Sequence, residues 1–309
     1  MKQGKILREL LAKKELLIAP AAYDALSARI IEQAGFKLMG VSGYGISATM
    51  LGKPDVGLTT LTEVVNVVRN IVSVVKIPVF CDVDTGFGNA INVMRTTEEF
   101  IRAGVAGFHM EDQVAPKRCG HVAGKQVISI EEAVGKYRAV DRIRKEMDPD
   151  FVLIARTDSL GAVGGSIEEV IRRGKAYVEA GADVFFADGI TKVGELERIV
   201  KEIPAPILYN MVGLSPQLTM SQLQKMGVAI VADAGGAFRS AMRAIWDYMH
   251  WLAKGGTEFM IQYGKEIQGH PTANFHQFIG FPEIRRLEEQ YLPSEEVQRK
   301  YAQSIGYQP

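Results

Sequence analysis

The chain has 309 residues, 47% of them hydrophobic and 23% charged, and its 36 Lys and Arg balance 36 Asp and Glu. Zero net charge leaves no basic footprint for nucleic acid or an anionic membrane, and the length fits one large α/β barrel or two smaller domains. Two cysteines, Cys81 and Cys119, cannot build a disulfide framework, so the expected setting is a reducing, cytoplasmic compartment.

The first 17 residues read as a basic helix with no apolar signal region behind it. Short β-rich apolar runs then alternate with segments of helical period. Strands are expected at 16–19, 38–42, 79–83, 107–111, 151–155, 184–187, 207–209 and 229–232. Helices are expected at 25–34, 61–74, 97–103, 130–146, 167–180, 194–202, 219–226 and 238–253. The most apolar stretch, 64–75, is broken by Arg69 and is too short to span a bilayer. Thr59, Ser129 and Ser166 are candidate N-caps, and Gly35, Gly104, Gly181 and Gly227 sit where a left-handed helix exit is wanted. Eight such units predict a (β/α)₈ TIM barrel over 1–254, a doubly wound open sheet being the alternative. Residues 255–309 read as a helical extension of the same domain, suited to packing on a neighbouring subunit or closing a site.

In a TIM barrel the chemistry sits at the C-terminal ends of the strands. The unusual polar residues fall there: Ser42-Gly43-Tyr44-Gly45, Asp82-Val83-Asp84-Thr85-Gly86, His109 with Glu111-Asp112, Arg156-Thr157-Asp158, Asp188 and Asn210. Asp82 and Asp84, two apart on a strand, would point the same way among apolar neighbours. Paired buried anions are costly without a cation, and a hard ion with few carboxylates and several waters suggests Mg²⁺, with Mn²⁺ as a substitute. Asp55 and Glu111 could complete the shell; the alternative is an Asp pair neutralised by Arg or capping helix amides. Cys119 lies among Lys117, Arg118 and His121, cations that lower a thiol pKa and suit it to proton transfer. Arg156 is placed for a carboxylate, Arg239 stands beside Gly235-Gly236 at a helix start, and either could instead be a structural ion-pair partner. Residues 161–165 are glycine-rich without the lysine of a nucleotide loop, and read as a mobile loop. His270 and His276 read as surface or packing residues.

Gly52-Lys53-Pro54-Asp55, Asp82-Val83-Asp84-Thr85-Gly86-Phe87-Gly88, Glu111-Asp112-Gln113, Lys117-Arg118-Cys119-Gly120-His121 and Ala155-Arg156-Thr157-Asp158 together resemble the isocitrate lyase/phosphoenolpyruvate mutase superfamily. The Lys-Arg-Cys-Gly-His loop resembles its lyase branch. The resemblance implies a barrel whose eighth helix is swapped between subunits of a homotetramer. It implies Mg²⁺ at Asp82 and Asp84 with Asp55 and Glu111 nearby, and substrate at Ser42, Gly43, Tyr44, Cys119, Gly120, Arg156, Asp188, Asn210 and Arg239. Three departures bear on substrate: Gly40 stands where the lyases often carry an aromatic residue, Asp188 where they carry Glu, and Gly213 where a Glu follows Asn-Met.

The implied reaction cleaves the C2–C3 bond of a 2-hydroxy di- or tricarboxylate of the 2-methylisocitrate or 2,3-dimethylmalate type. The products are pyruvate and a second carboxylate. Cys119 would protonate the departing carbanion, His121 and Lys117 would tune it, and Tyr44 or a metal-linked carboxylate would serve as base. The competing readings are hydrolysis of oxaloacetate to oxalate and acetate, a phosphonopyruvate or phosphoenolpyruvate reaction, and a non-catalytic barrel that binds a dicarboxylate.

Overall fold

The structure is a computed structural model, and it describes residues 2–120, 122–302 and 304–309. Eight parallel strands close on themselves in sequence order: β1 (Leu17–Ala22), β2 (Met39–Val41), β3 (Val79–Asp82), β4 (Gly107–Glu111), β5 (Val152–Thr157), β6 (Val184–Ala187), β7 (Ile207–Asn210) and β8 (Ile230–Asp233). Pairing of Leu17 with Ile230 and of Ile18 with Val231 joins β8 to β1, which excludes the open sheet.

The helices are α1 (Gln3–Ala12), α2 (Ala25–Gln33), α3 (Gly43–Ile46), α4 (Leu61–Ser73), α5 (Ala90–Ala103), α6 (Ile130–Met147), α7 (Ile167–Glu179), α8 (Val193–Glu202), α9 (Met220–Met226) and α10 (Gly236–Glu266). They are followed by α11 (Phe275–Ile279), α12 (Phe281–Tyr291) and α13 (Ser294–Ala302). Local chemistry sets their ends. The cap of α4 is Thr60 rather than Thr59, because only Thr60 has a glutamate three residues on. Its hydroxyl accepts from Glu63 N–H, and the Glu63 carboxylate accepts the Thr60 N–H at 2.8 Å. Helix α5 starts at Ala90, seven residues before the expected 97, because Asn89 caps Ile91 and Asn92. Ser129 and Ser166 cap α6 and α7 as expected. Gly104 and Gly227 end α5 and α9 with φ of 86° and 95°, a conformation that costs a side-chain-bearing residue.

Two apolar layers follow from the strand alternation. Outward residues such as Met39, Val41, Cys81, Phe108 and Phe185 pack under the helices, while Leu17, Leu38, Phe80, Ile154, Val184 and Phe186 fill the barrel. Leu7 of α1 belongs to the inner layer and is fully buried, so this helix stoppers the end of the barrel where the strands begin. Arg8 fastens it by donating to the carbonyls of Asp150 and Phe151 and pairing with Asp183. Burying one such leucine contributes about 1.5–3 kcal/mol.

The chain divides into two compact units, Met1–Ala241 and Met242–Pro309. In the second, Arg285 lies over the Tyr301 ring at 3.8 Å, Val297 is buried, and His276 stacks on Tyr307. The helical run of α10 is interrupted at Gly256, and none of its residues is buried. Among the described residues no helix is long and apolar enough to cross a membrane.

Candidate active site

The first unit gathers its polar side chains where the strands end. Strand β3 stops at Asp82, and Asp84 follows in a turn with φ of 48°. The two aspartates therefore do not converge through strand alternation, as their spacing suggested. A left-handed turn bends the chain back so that the Asp84 N–H donates to Asp82 Oδ1 at 3.0 Å. Asp84 then shares a cation with Asp55: Lys117 Nζ lies 2.8 Å from Asp84 Oδ1 and 2.6 Å from Asp55 Oδ2.

Asp55 arrives by a different route. After β2, Ser42 caps α3 by accepting the Gly45 N–H, and residues Ser47–Leu51 continue as a π-helical turn. The Ser47 hydroxyl then donates to the carbonyls of Lys53 and Pro54, which brings Asp55 in, nearly buried. Gly43 is packed against the Asp82 carboxyl, since a β-carbon there would lie 2.9 Å from Asp82 Oδ2. Tyr44 is exposed at the rim, its ring 6.0 Å from that of Phe238.

Arg156, at the end of β5, is the centre of the opposite half. Its guanidinium holds Asp158 through Nε and Nη2 at 2.9 and 3.1 Å, Asp188 at 2.8 Å and Glu111 Oε2 at 3.1 Å. The fork expected to face substrate thus clasps its own chain, with Nη1 turned to Glu111. Behind it, buried Asp112 accepts from Thr157, Tyr177, Arg173 and the Asp158 N–H, which fixes the strand end.

The Cys119 segment bridges the two halves. Lys117 is anchored on Asp55 and Asp84. Gly120 lies flat on Arg156 and Asp188, where a β-carbon would come within 1.9 Å of Asp188 Oδ2 and 2.6 Å of Arg156 Nη2. Cys119 sits between these two fixed points, partly exposed, while Cys81 is fully buried. His121 lies outside the described residues.

Charge is out of balance in this space. Among the described residues, the carboxyls of Asp55, Asp82, Asp84, Glu111, Asp158 and Asp188 outnumber the cations Lys117, Lys125 and Arg156. Burial, helped by Asp158 and Asp82, pushes the Glu111 carboxyl well up despite Arg156 and Lys117. Burial also raises Asp55 and Asp84, with Lys117 opposing. Asp82 is desolvated too, but His109, Lys117 and Arg156 outweigh that and hold it low. Glu111 Oε2 is out of line for a hydrogen bond and Oε1 meets no donor, although both are buried. Among the described residues no three His, Cys, Asp or Glu side chains are spaced to cage a metal alone. A surplus of buried carboxylates, one lacking donors, suits a cation that retains much of its water.

Asn210, nearly buried, ends β7, and Arg239 is exposed in the first turn of α10, with no ion pair among the described residues. A β-carbon on Gly40 would lie 3.2 Å from the Phe80 ring. Phe80 thus occupies that space, and with His109 and Phe186 it makes an aromatic floor under the charged groups. His109 stands 3.7 Å from Asp82, and burial pushes its imidazole below the ordinary histidine value. Its place on the fourth strand was visible in the sequence, though its position in the middle of β4 and its contact with Asp82 were not. Lys125 had no signal at all, because a lysine beside a glycine in a loop normally faces water. Within residues 161–165, Ala162 is bridged to Lys125 and its carbonyl accepts the Gly165 N–H.

The model of the family described as phosphoenolpyruvate phosphomutase matches residues 7–252. The 2,3-dimethylmalate lyase of Eubacterium barkeri is 40% identical over 292 residues, spanning 92% of this chain and 96% of that protein. The 2-methylisocitrate lyase of Aeropyrum pernix is 37% identical, spanning 92% and 89%. A crystal structure of 2,3-dimethylmalate lyase superposes with a TM-score of 0.87 at 32% identity, covering 99% of each chain. A phosphonopyruvate hydrolase in complex with oxalate and Mg²⁺ superposes at 0.82 and 32% identity, covering 95% of this chain and all of that one.

Proposed function

The chain belongs to the phosphoenolpyruvate mutase/isocitrate lyase superfamily and is a carbon–carbon lyase, and on that premise we propose that it splits a 2-hydroxy-2-alkyl dicarboxylate or tricarboxylate into pyruvate and a second carboxylate. Substrates of the 2,3-dimethylmalate and 2-methylisocitrate type are the first choice. One observation carries the reading: a thiol held between a carboxylate-rich cation site and a buried guanidinium, through Lys117 on one side and Gly120 on the other.

Asp82 and Asp84 would hold a Mg²⁺ ion, with Asp55 and Glu111 reached through its water. When bound, the ion supplies positive charge to orient a 2-oxygen and its carboxylate and to acidify the hydroxyl. The rest falls to the chain. Arg156, through the side facing Glu111, neutralises a substrate carboxylate, and Ser42, Gly43, Tyr44, Asn210 and Arg239 line the approach. The aromatic floor of Phe80 and Phe186 excludes water from one side. Loss of the hydroxyl proton turns C2 into the ketone of pyruvate as the C2–C3 bond breaks. The bonding pair moves to C3, and Cys119 delivers a proton there. The proton taken from the hydroxyl restores the thiol, so no net acid or base is consumed. Lys117 keeps Asp55 and Asp84 in place, and His121 follows Cys119 in the same loop.

Self-association through the second unit fits the same reading. Ile245, Trp246, Met249 and Trp251 of α10 are all more than half exposed, an apolar surface that a subunit exchange would cover. A panel of 2-alkylmalates, 2-methylisocitrate and oxaloacetate, with Mg²⁺ present, tests the activity. Pyruvate release supports the reading, oxalate release moves it to oxaloacetate hydrolysis, and no turnover with tight oxalate binding leaves a silent dicarboxylate-binding barrel.

A further inference from the structure

The segment that carries Cys119 leaves the barrel after β4 and returns before α6. Its base is closed by an antiparallel bridge between Gln113 and Val127. The Val114 N–H donates to the Gln126 carbonyl and the Ile128 N–H to the Asp112 carbonyl. On the outgoing limb the Gln113 side chain grips the Arg118 backbone twice, donating to its carbonyl at 2.8 Å and accepting its N–H at 2.9 Å. These bonds settle where the excursion starts, but not how far its tip leans over the site.

The tip is held from the returning limb. Lys125 is 2% exposed, although lysine seldom buries its ammonium. Its Nζ donates to the Gly120 carbonyl and to Asp158 Oδ1 at 3.3 Å. Asp158 is the carboxylate that Arg156 clasps, so the same anion faces the guanidinium on one side and Lys125 on the other. The Lys125 main chain also bridges to Ala162, and its carbonyl accepts the Val163 N–H. A β-carbon on Gly161 would come within 2.8 Å of the ammonium, which is therefore enclosed by backbone.

We propose that Lys125 is a positioning residue that latches the Cys119 loop over the active site by tying the Gly120 carbonyl to the Arg156–Asp158 pair. Gly120 is thereby gripped on both faces, its α-carbon against Asp188 and its carbonyl on Lys125, and the neighbouring thiol is delivered at a set distance from C3. The purpose of the latch rests on the proton-donor role proposed for Cys119, whereas the latch itself is a statement about loop closure. A misplacement of the acid by about 1 Å is enough to cost about 10²-fold in turnover.

Lys125→Met keeps the stem and removes the donors. Its kcat is expected to fall about 10²-fold with KM little changed, and Lys125→Arg, which keeps charge and donors, should recover much of the loss. A readout independent of turnover is alkylation by iodoacetamide, which reports on Cys119 because Cys81 is fully buried. Loss of a charge-assisted bond should open the loop and speed alkylation about tenfold. If Lys125→Met does not fold, Lys125→Gln, shorter and uncharged, should show the same direction. Alkylation and kcat within twofold of the parent in a folded Lys125 variant would overturn the latch. Should Cys119→Ser stay fully active while Lys125→Met still exposes the thiol, the latch stands and the acid assignment falls.

Discussion

The α-carbon of Gly120 rests on the Asp188 carboxylate so closely that a β-carbon would come within 1.9 Å of Oδ2. Asp188 meanwhile accepts from Arg156 at 2.8 Å and cannot retreat without breaking a buried ion pair. Gly120→Ala should therefore displace the loop rather than the barrel. We expect kcat to drop by about 10²-fold or more, while the thermal midpoint stays within a few degrees of the parent by scanning fluorimetry. An alanine variant with normal turnover would show that the loop does not need this closeness.

Cys119→Ser replaces the thiol with a much weaker acid of similar shape. Turnover should fall about 10²–10⁴-fold. Calorimetric titration with oxalate in the presence of Mg²⁺ should give affinity near that of the parent, since the cation site and Arg156 are untouched.

The surplus of buried carboxylates predicts that divalent cations stabilise the fold. At a Mg²⁺ concentration about 100 times its Kd, the gain should be about 2.7 kcal/mol, lost again on adding EDTA. Asp82→Asn should remove most of that gain. An unchanged melting curve across a Mg²⁺ titration would contradict the metal assignment.

Behind Arg156, the Tyr177 hydroxyl donates to Asp112 Oδ2 at 2.6 Å. Tyr177→Phe leaves that fully buried carboxylate one donor short, at a cost of about 1–3 kcal/mol. Urea denaturation measures it directly, and a change under a few tenths would mean the remaining donors suffice.

Asp141, on α6, gives the pH dependence a clean case far from the active site. Burial raises its carboxyl, but the Arg144 and Lys145 side chains outweigh this and hold it below its ordinary value of 3.8. A depressed carboxylate stabilises the fold in full above the unfolded value, and the contribution fades as pH falls through the lower folded value. Asp141→Asn should thus cost about 1 kcal/mol at pH 7, and the difference from the parent should shrink as acid approaches pH 3.

Much of this molecule could be read along the chain because its signals are local. Period-2 and period-3.6 patterns located eight strand–helix units, since each buries one face. Within the motifs, Asp82, Asp84, Lys117, Cys119 and Arg156 stood out because strand ends in a barrel are where polar residues have no packing reason to be. The residues that went unassigned act through distant partners. Lys125 meets Asp158 across 33 positions, and Asp112 meets Thr157 across 45.

By itself, the sequence determined the barrel, the order of its units and the chemical identity of the groups at its rim. Only the tertiary structure decided that Asp84 joins Asp82 through a left-handed turn, that Arg156 is shared among three carboxylates, and that Lys125 is buried. The reason is physical: periodicity reports which face a residue presents, whereas desolvation and ion pairing depend on which segments closure of the sheet brings together.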